Sequence, residues 1–337
     1  MTDGPRRKAG AVVSAMSAQA PPLQVPQPKR RFGRSREGTM RERLQGIAFA
    51  LPALVVLGLF VIYPAYYTVR LAFYKSDYLF AFTNYVGLQN FRDLFQDKDF
   101  WDTSSFPPSG ALFNNLRWVV VYISLTLILG LALAVLTIRV RYESIVKAIV
   151  FVPMAISATA VGVIWLLIYS PSPDIGTVNA VIHGLGGNPV SWLGKESTVN
   201  YAIILAYVWA STGFAMVVLS AALKGIPTEI IEAARVDGAG EWNIFRRIML
   251  PMLSLPISIV TVWLFINVIK VFDIIYVMTG TTGGPGTSSQ VIAFSMYRFT
   301  FNGFPGKGAA AAVVMLLLLI PVMVLNVRRF RSERVMT

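Results

Sequence analysis

Six long apolar runs alternate with polar segments along the chain, at about 46–70, 115–138, 144–169, 200–223, 251–277 and 308–328. Each can cross a bilayer core, which takes roughly 20 apolar residues in a helix. Inside lipid only helices and closed barrels satisfy their own backbone groups, and runs this long read as helices. The pattern predicts an all-α polytopic membrane protein with six transmembrane helices. Pro52, Pro64, Pro153, Pro256 and Pro321 lie inside the runs and predict kinks, because a helical proline removes a hydrogen bond. Residues 1–44 hold no such run. They are rich in Pro, Ala, Gln, Lys and Arg, and predict a disordered basic tail. Lys29, Arg30, Arg31, Arg34, Arg36, Arg41 and Arg43 mark its juxtamembrane end. A cleaved signal peptide is not expected, since the basic region is far too long and no small-residue cleavage site follows a short apolar core. The transmembrane domain covers 45–331, and 332–337 form a second short tail.

Lys and Arg placement sets the orientation. With the N-terminus inside, 21 of the 30 basic residues fall in inner segments and 8 in outer ones, while Lys270 stays within a span. Both termini are therefore expected in the cytoplasm. The segment 225–250 is then the only long polar stretch between runs on that side. Pro227 and Thr228 can start a helix there, with Glu229 at its positive N-terminal end. Gly238 and Gly240 break that helix, and a second runs from about Glu241 until Pro251 opens the next apolar run. Two short helices around a glycine elbow predict a protruding knob, and the small Ala233 and Ala234 would let a partner's backbone approach closely. An ordinary amphipathic loop is the plainer alternative.

The outer segments carry other signals. The first, about 71–114, holds Asp77, Asp93, Asp97, Asp99 and Asp102 among many aromatics. The second, 170–199, is rich in Gly, Pro and Asn and contains Trp192. The third, about 278–307, has a glycine-rich turn at 280–286. No Gly-x-x-x-x-Gly-Lys-Ser/Thr occurs, so that turn is not read as a phosphate loop.

Composition narrows the function classes. The chain is 55% hydrophobic and only 14% charged, with mean hydropathy +0.60. Soluble domains carry about 25% charged residues. A formal charge of +13 could suggest nucleic acid, but the basic residues cluster beside apolar runs, so no nucleic-acid partner is expected. The absence of cysteine excludes disulfides and thiolate chemistry. His183 is alone, read as a solvated loop residue, and no metal site is expected.

The knob carries a family signature. Glu232-Ala-Ala, then Asp237-Gly-Ala, then Ile248-x-Leu250-Pro251 resembles the EAA loop of permease subunits in binding-protein-dependent ABC importers. Four further stretches resemble sugar permeases of the maltose and multiple-sugar type, from about Gln45 to Arg331. They are Leu51-Pro-Ala-Leu with Ile62-Tyr-Pro64; Tyr85-Val-Gly-Leu-Gln-Asn-Phe91; Phe151-Val-Pro-Met with Val163-Ile-Trp165; and Phe272-Asp-Ile-Ile-Tyr276 with Gly283-Gly-Pro285. The Phe272–Tyr276 stretch and the Asn326-Val-Arg-Arg-Phe330-Arg ending look closest to α-glucoside permeases. Relative to the larger maltose permease subunit, the chain lacks extra N-terminal helices and a large outer domain, and its glycine turn is longer.

The resemblance implies a maltose-permease-like fold in a prokaryotic inner membrane. It implies a second permease subunit, two copies of a cytoplasmic ATPase, and an extracytoplasmic solute-binding protein that delivers a sugar. ATP would be bound by the ATPase, leaving this chain without a cofactor or catalytic residues. Glu232, Ala233, Ala234, Asp237, Gly238, Ala239 and Gly240 would form the ATPase-coupling site, with Glu232 facing a basic partner residue and Glu241, past the elbow, mattering less. Tyr207, Ser211 and Phe214, on one face of the fourth span, correspond to sugar-contacting positions, with packing between helices as an equal alternative for Tyr207 and Phe214. On the fifth span Leu264, Val268 and Val271 are apolar, flanked by the candidates Asn267 and Lys270, and Lys270 could pair with Asp273. Alternatives are an importer for another solute such as glycerol-3-phosphate, a secondary transporter, or a membrane scaffold. A secondary transporter would usually carry mid-membrane ionisable residues, which these runs nearly lack.

Overall fold

A computed structural model describes residues 40–76, 80–104, 106–138 and 140–334. The tail up to residue 39, residues 77–79 with Asp77, residue 105, Arg139 and residues 335–337 lie outside the described residues. The chain divides into two units, Met1–Gly58 and Leu59–Thr337. In the first, helix α1 (Met40–Leu57) exposes every side chain from Gln45 onward, and those side chains are almost all apolar. Such a helix suits lipid as its surroundings.

The second unit holds the remaining elements. Helix α2 (Tyr63–Leu71) follows a wide π turn at Gly58–Ile62. The turn sits where Pro64 removes a helical hydrogen bond. A small antiparallel hairpin follows, β1 (Tyr74–Ser76) on β2 (Phe82–Tyr85) with Tyr74 opposite Tyr85, then α3 (Gln89–Gln96). The long α4 (Ala111–Thr137) comes next. The third expected span is two helices, α5 (Glu143–Phe151) and α6 (Ala158–Ile168), bent by 101°. Pro153 lies in the tight turn Val152–Ala155, and Ser157 caps α6 by accepting the Ala160 N–H at 3.2 Å. Helices α7 (Thr177–Gly184) and α8 (Glu196–Lys224) follow.

The knob contains α9 (Thr228–Val236) and α10 (Glu241–Ile244). A second π turn, Phe245–Met249, precedes α11 (Leu250–Met252) with its Pro251. Helix α12 (Ser254–Ile269) then departs at 66° from Glu241–Met252. The fifth span thus ends at Ile269 rather than running to 277, and α13 (Asp273–Thr279) is a separate helix. Pro256 causes no kink, because it sits in the first turn of α12, where an N–H has no intrahelical partner anyway. The glycine turn leads into an unforeseen helix, α14 (Ile292–Phe301), and α15 (Pro305–Arg334) closes the chain. Among the described residues four helices are long and apolar enough to cross a membrane, and the number is six where each bent pair counts as one span.

Helix α8 lies at the centre: its most apolar window is 61% buried, against 28% for α4 and α15. Accordingly it is hydrophobic on all sides and shows no polar stripe. Two glycines bring neighbours to backbone contact with it. A Cβ on Gly130 of α4 would stand 2.6 Å from the Ala215 Cβ, and one on Gly213 would stand 2.4 Å from the Val150 carbonyl oxygen.

Buried amides lock the outer segments to this pair. The Asn114 amide donates to the Gln290 carbonyl at 2.8 Å, and the Trp118 indole donates to Asn200 at 2.8 Å. The Asn115 side chain accepts the Ile292 N–H at 2.7 Å and donates to the Val268 carbonyl at 3.2 Å. Asn115→Leu keeps the volume but orphans both backbone groups. Each buried unsatisfied group costs about 1–3 kcal/mol, so the variant is expected to unfold at a clearly lower temperature in detergent. An unchanged melting temperature would show that these bonds do not hold the turn.

Candidate functional site

The knob is a capped, rooted structure. At the end of α9 the Ala239 N–H reaches the Ala234 carbonyl at 2.9 Å and the Gly238 N–H reaches Arg235 at 3.0 Å. This is the Schellman ending, which needs a left-handed residue, and Gly238 supplies it with φ +81°. Gly240 is extended and opens α10. The Arg235 guanidinium bonds Glu241 at 2.8 Å across the elbow. Glu241 holds Arg235 above its ordinary pKa, and the Glu232 charge adds to this. Ile226 packs in the bundle core and roots the knob there, and Ile244 is buried as well. Glu232 and Ala233 are exposed, as are Asp237 and Gly238, while Ala234 and Ala239 are half-buried. Among the described residues the Glu232 carboxylate has no hydrogen-bond or ion-pair partner. Val236 is 88% exposed and Trp242 69%. The exposed side of α9 and its end therefore offers a partner the Glu229, Glu232 and Asp237 carboxylates beside the apolar Ala233 and Val236.

No heavy atom lies within 4 Å of a Cβ built on Gly238. Gly238→Val would suffer only backbone strain, about 1–3 kcal/mol. If the knob docks an ATPase as the resemblance implies, the expected result is weakened attachment of that ATPase with membrane insertion intact, measured by co-purification. Wild-type attachment would mean that the turn is generic.

Beneath the knob, a charge cluster ties α5 to α8. Lys224 bonds the Glu143 carboxylate at 2.8 Å, and Lys147 bonds both Glu143 and the buried Ser220 hydroxyl. At the other end, Arg298 pairs with Asp99 at 2.7 Å and Lys307 with Asp97 at 2.5 Å. These residues, with Asp93, line an open cleft of about 480 Å³. The aspartates were legible in the sequence, but their basic partners lie some 200 positions away.

The expected sugar-contact residues are dispersed. Tyr207 is half-buried and packs on Trp118 and Tyr122, with ring centroids at 5.6 and 5.1 Å. Ser211 is buried and accepts the Tyr122 hydroxyl at 2.9 Å, so it joins α8 to α4. Phe214 stacks on Trp263 of α12 at 4.1 Å, a partner that the sequence reading missed. Asn267 is half-buried and donates to the Trp263 carbonyl one turn back at 2.9 Å. Leu264, Val268 and Val271 are core residues. Lys270 is exposed at the end of α12, and no ion pair joins it to Asp273 among the described residues. Asp273 instead lies within electrostatic reach of Tyr207. No group of three or more His, Cys, Asp or Glu side chains is placed to hold a metal among the described residues.

Known proteins share this architecture. The chain is 43% identical over 291 residues to the osmoprotective compounds uptake permease protein GgtC of Synechocystis sp., covering 85% of this chain and 98% of that one. It is 38% identical over 291 residues to the alpha-glucoside transport system permease protein AglF of Rhizobium meliloti, covering 85% and 82%. A subunit of a bacterial ABC transporter involved in alginate import superposes with a TM-score of 0.70 at 24% identity, over 86% of this chain and 96% of that one, which shows the fold. The profile described as binding-protein-dependent transport system inner membrane component matches residues 126–331, and the chain belongs to that family.

Proposed function

We propose that the chain is one transmembrane subunit of an ATP-driven importer for an oligosaccharide or α-glucoside, with both termini in the cytoplasm. A second permease subunit completes the pathway, two cytoplasmic ATPase subunits supply the energy, and an extracytoplasmic binding protein delivers the sugar. The carrying observation is the rooted knob with its exposed, unpartnered Glu232. A rigid projection is what transmits a partner's movement into a bundle. ATP-driven closure then shifts the population between two packings of the helices. Helix α5 is tied at its start to Lys224 beneath the knob and bends by 101° into α6 at its far end, which gives the bundle a jointed element that begins next to the knob. Tyr207, Phe214, Asn267 and Lys270 are candidates for the sugar path, with Ser211 behind them.

The similarity to AglF favours α-glucosides; the similarity to GgtC supports a second reading, osmoprotective compounds. Vesicles holding the assembled complex test both. Uptake of a labelled α-glucoside should require the binding protein and ATP, and should be competed by unlabelled α-glucosides and not by glycerol-3-phosphate. Competition by glycerol-3-phosphate alone would overturn the sugar reading, and uptake without ATP would overturn the importer reading.

A further inference from the structure

The segment Glu241–Met252 bends by 66° from α12, so it lies oblique to the membrane-crossing helix that it enters. Its sides differ. Ile244 is buried and Met249 packs against the core, whereas Trp242, Arg246 and Arg247 are exposed. Trp242 stands one turn from Arg246 and packs on Phe245 at 5.7 Å. Neither guanidinium has a hydrogen bond or an ion pair among the described residues, and the nearby Glu241 carboxylate is bound to Arg235. Six residues separate Arg247 from Ser254, where α12 begins. The arginines therefore lie on the chain about two helical turns before the apolar helix begins. Two free cations beside an exposed tryptophan, on a helix oblique to the span, have the make-up of an interfacial segment.

We propose that the Trp242, Arg246 and Arg247 face is a site for anionic phospholipid headgroups. The inference rests on the membrane orientation proposed above. The indole lies among the headgroups, and the guanidiniums bind the lipid phosphate, for which their planar donors are suited. Among the described residues no carboxylate pairs with the two arginines, and an anionic membrane surface supplies the complementary charge. Lipid binding would hold the base of the knob at a fixed depth.

The assembled complex in vesicles tests this. Vesicles carry either brominated phosphatidylglycerol or, at equal fraction, brominated phosphatidylcholine. The Trp242 fluorescence is isolated as the difference between wild type and Trp242→Phe. Phosphatidylglycerol should quench it more strongly, and high salt should remove the preference. Arg246→Gln with Arg247→Gln should weaken the preference on the order of 5- to 30-fold, since each cation near the surface contributes about fivefold. Arg246→Lys with Arg247→Lys should retain most of it. Equal quenching by the two lipids would overturn the proposal. Loss of all quenching only when the ATPase is present would overturn it too, by assigning the face to the ATPase. Sugar uptake by the same vesicles reports the transport reading separately, so a complex that transports but shows no lipid preference overturns the lipid site alone.

Discussion

Gly213→Leu is expected to abolish accumulation of the folded protein in the membrane. Gly213 lies within α8, the most buried helix, where it meets the end of α5. A Cβ there would stand 2.4 Å from the Val150 oxygen and 2.7 Å from the Phe151 Cα, and both are backbone atoms. No rotamer change relieves that contact. The helices must separate, and the tight turn Val152–Ala155 with the α5–α6 bend must move as well. Overpacking usually costs about 1–3 kcal/mol, and more where backbone has to shift. The separation would also pull on the Lys147, Glu143 and Ser220 contacts that join the same two helices. Gly240→Ala is the control. Gly240 has an ordinary φ of −69° and nothing within 4 Å of its Cβ. Membrane levels and size-exclusion profiles of the two variants in detergent decide the matter. A monodisperse Gly213→Leu protein at wild-type yield would show that α5 and α8 do not pack as described.

The helical spans were legible because apolar run length is a property of the sequence alone. What a run cannot display is direction. Residues 144–169 are apolar throughout, yet the chain turns by 101° between α5 and α6, because Ser157 caps a new helix there. The run to 277 likewise hides the break at 270–272, where Asp273 restarts a helix. Proline alone did not mark the bends. Pro64 and Pro251 adjoin π turns and Pro153 lies in a tight turn, while Pro52 and Pro321 are accommodated within helices. In the knob, Gly238 was readable because a left-handed ending leaves a local mark. The sugar-path candidates were harder. Ser211 and Phe214 share a helix face at a spacing of three, but one is bound inward to Tyr122 and the other stacks on Trp263, a residue 49 positions on. Pairings of that kind are set by tertiary packing and leave no periodic trace.

Glu232→Ala is expected to lower binding-protein-stimulated ATP hydrolysis and sugar uptake together, and Glu232→Lys is expected to lower both further. Glu232 lies on the exposed face of α9, beside Ala233, with Val236 on the same short helix. Exposed carboxylates ordinarily matter little. This one is rigidly placed, because Ile226, Ile244 and the Gly238 turn fix the helix that carries it. Docked against a basic residue of the ATPase, it would become one half of a desolvated pair. Truncating one half costs about 2–5 kcal/mol, which is roughly 30-fold or more in coupled activity. Lysine adds repulsion to that loss. The comparison residue is Glu241, read from the sequence as one that matters less. The structure gives it a task of its own, the ion pair with Arg235 across the elbow. That pair is solvent-exposed, with side chains 46% and 58% accessible, so Glu241→Ala should loosen the elbow and reduce coupling only modestly. Reconstituted complexes carrying each variant, with stimulated hydrolysis and uptake measured side by side, distinguish the two roles. Equal, near-wild-type activities for the Glu232 and Glu241 variants would make Glu232 a solvated helix residue, and the force from ATP would then enter the bundle elsewhere, with the exposed Val236 as the next surface to alter.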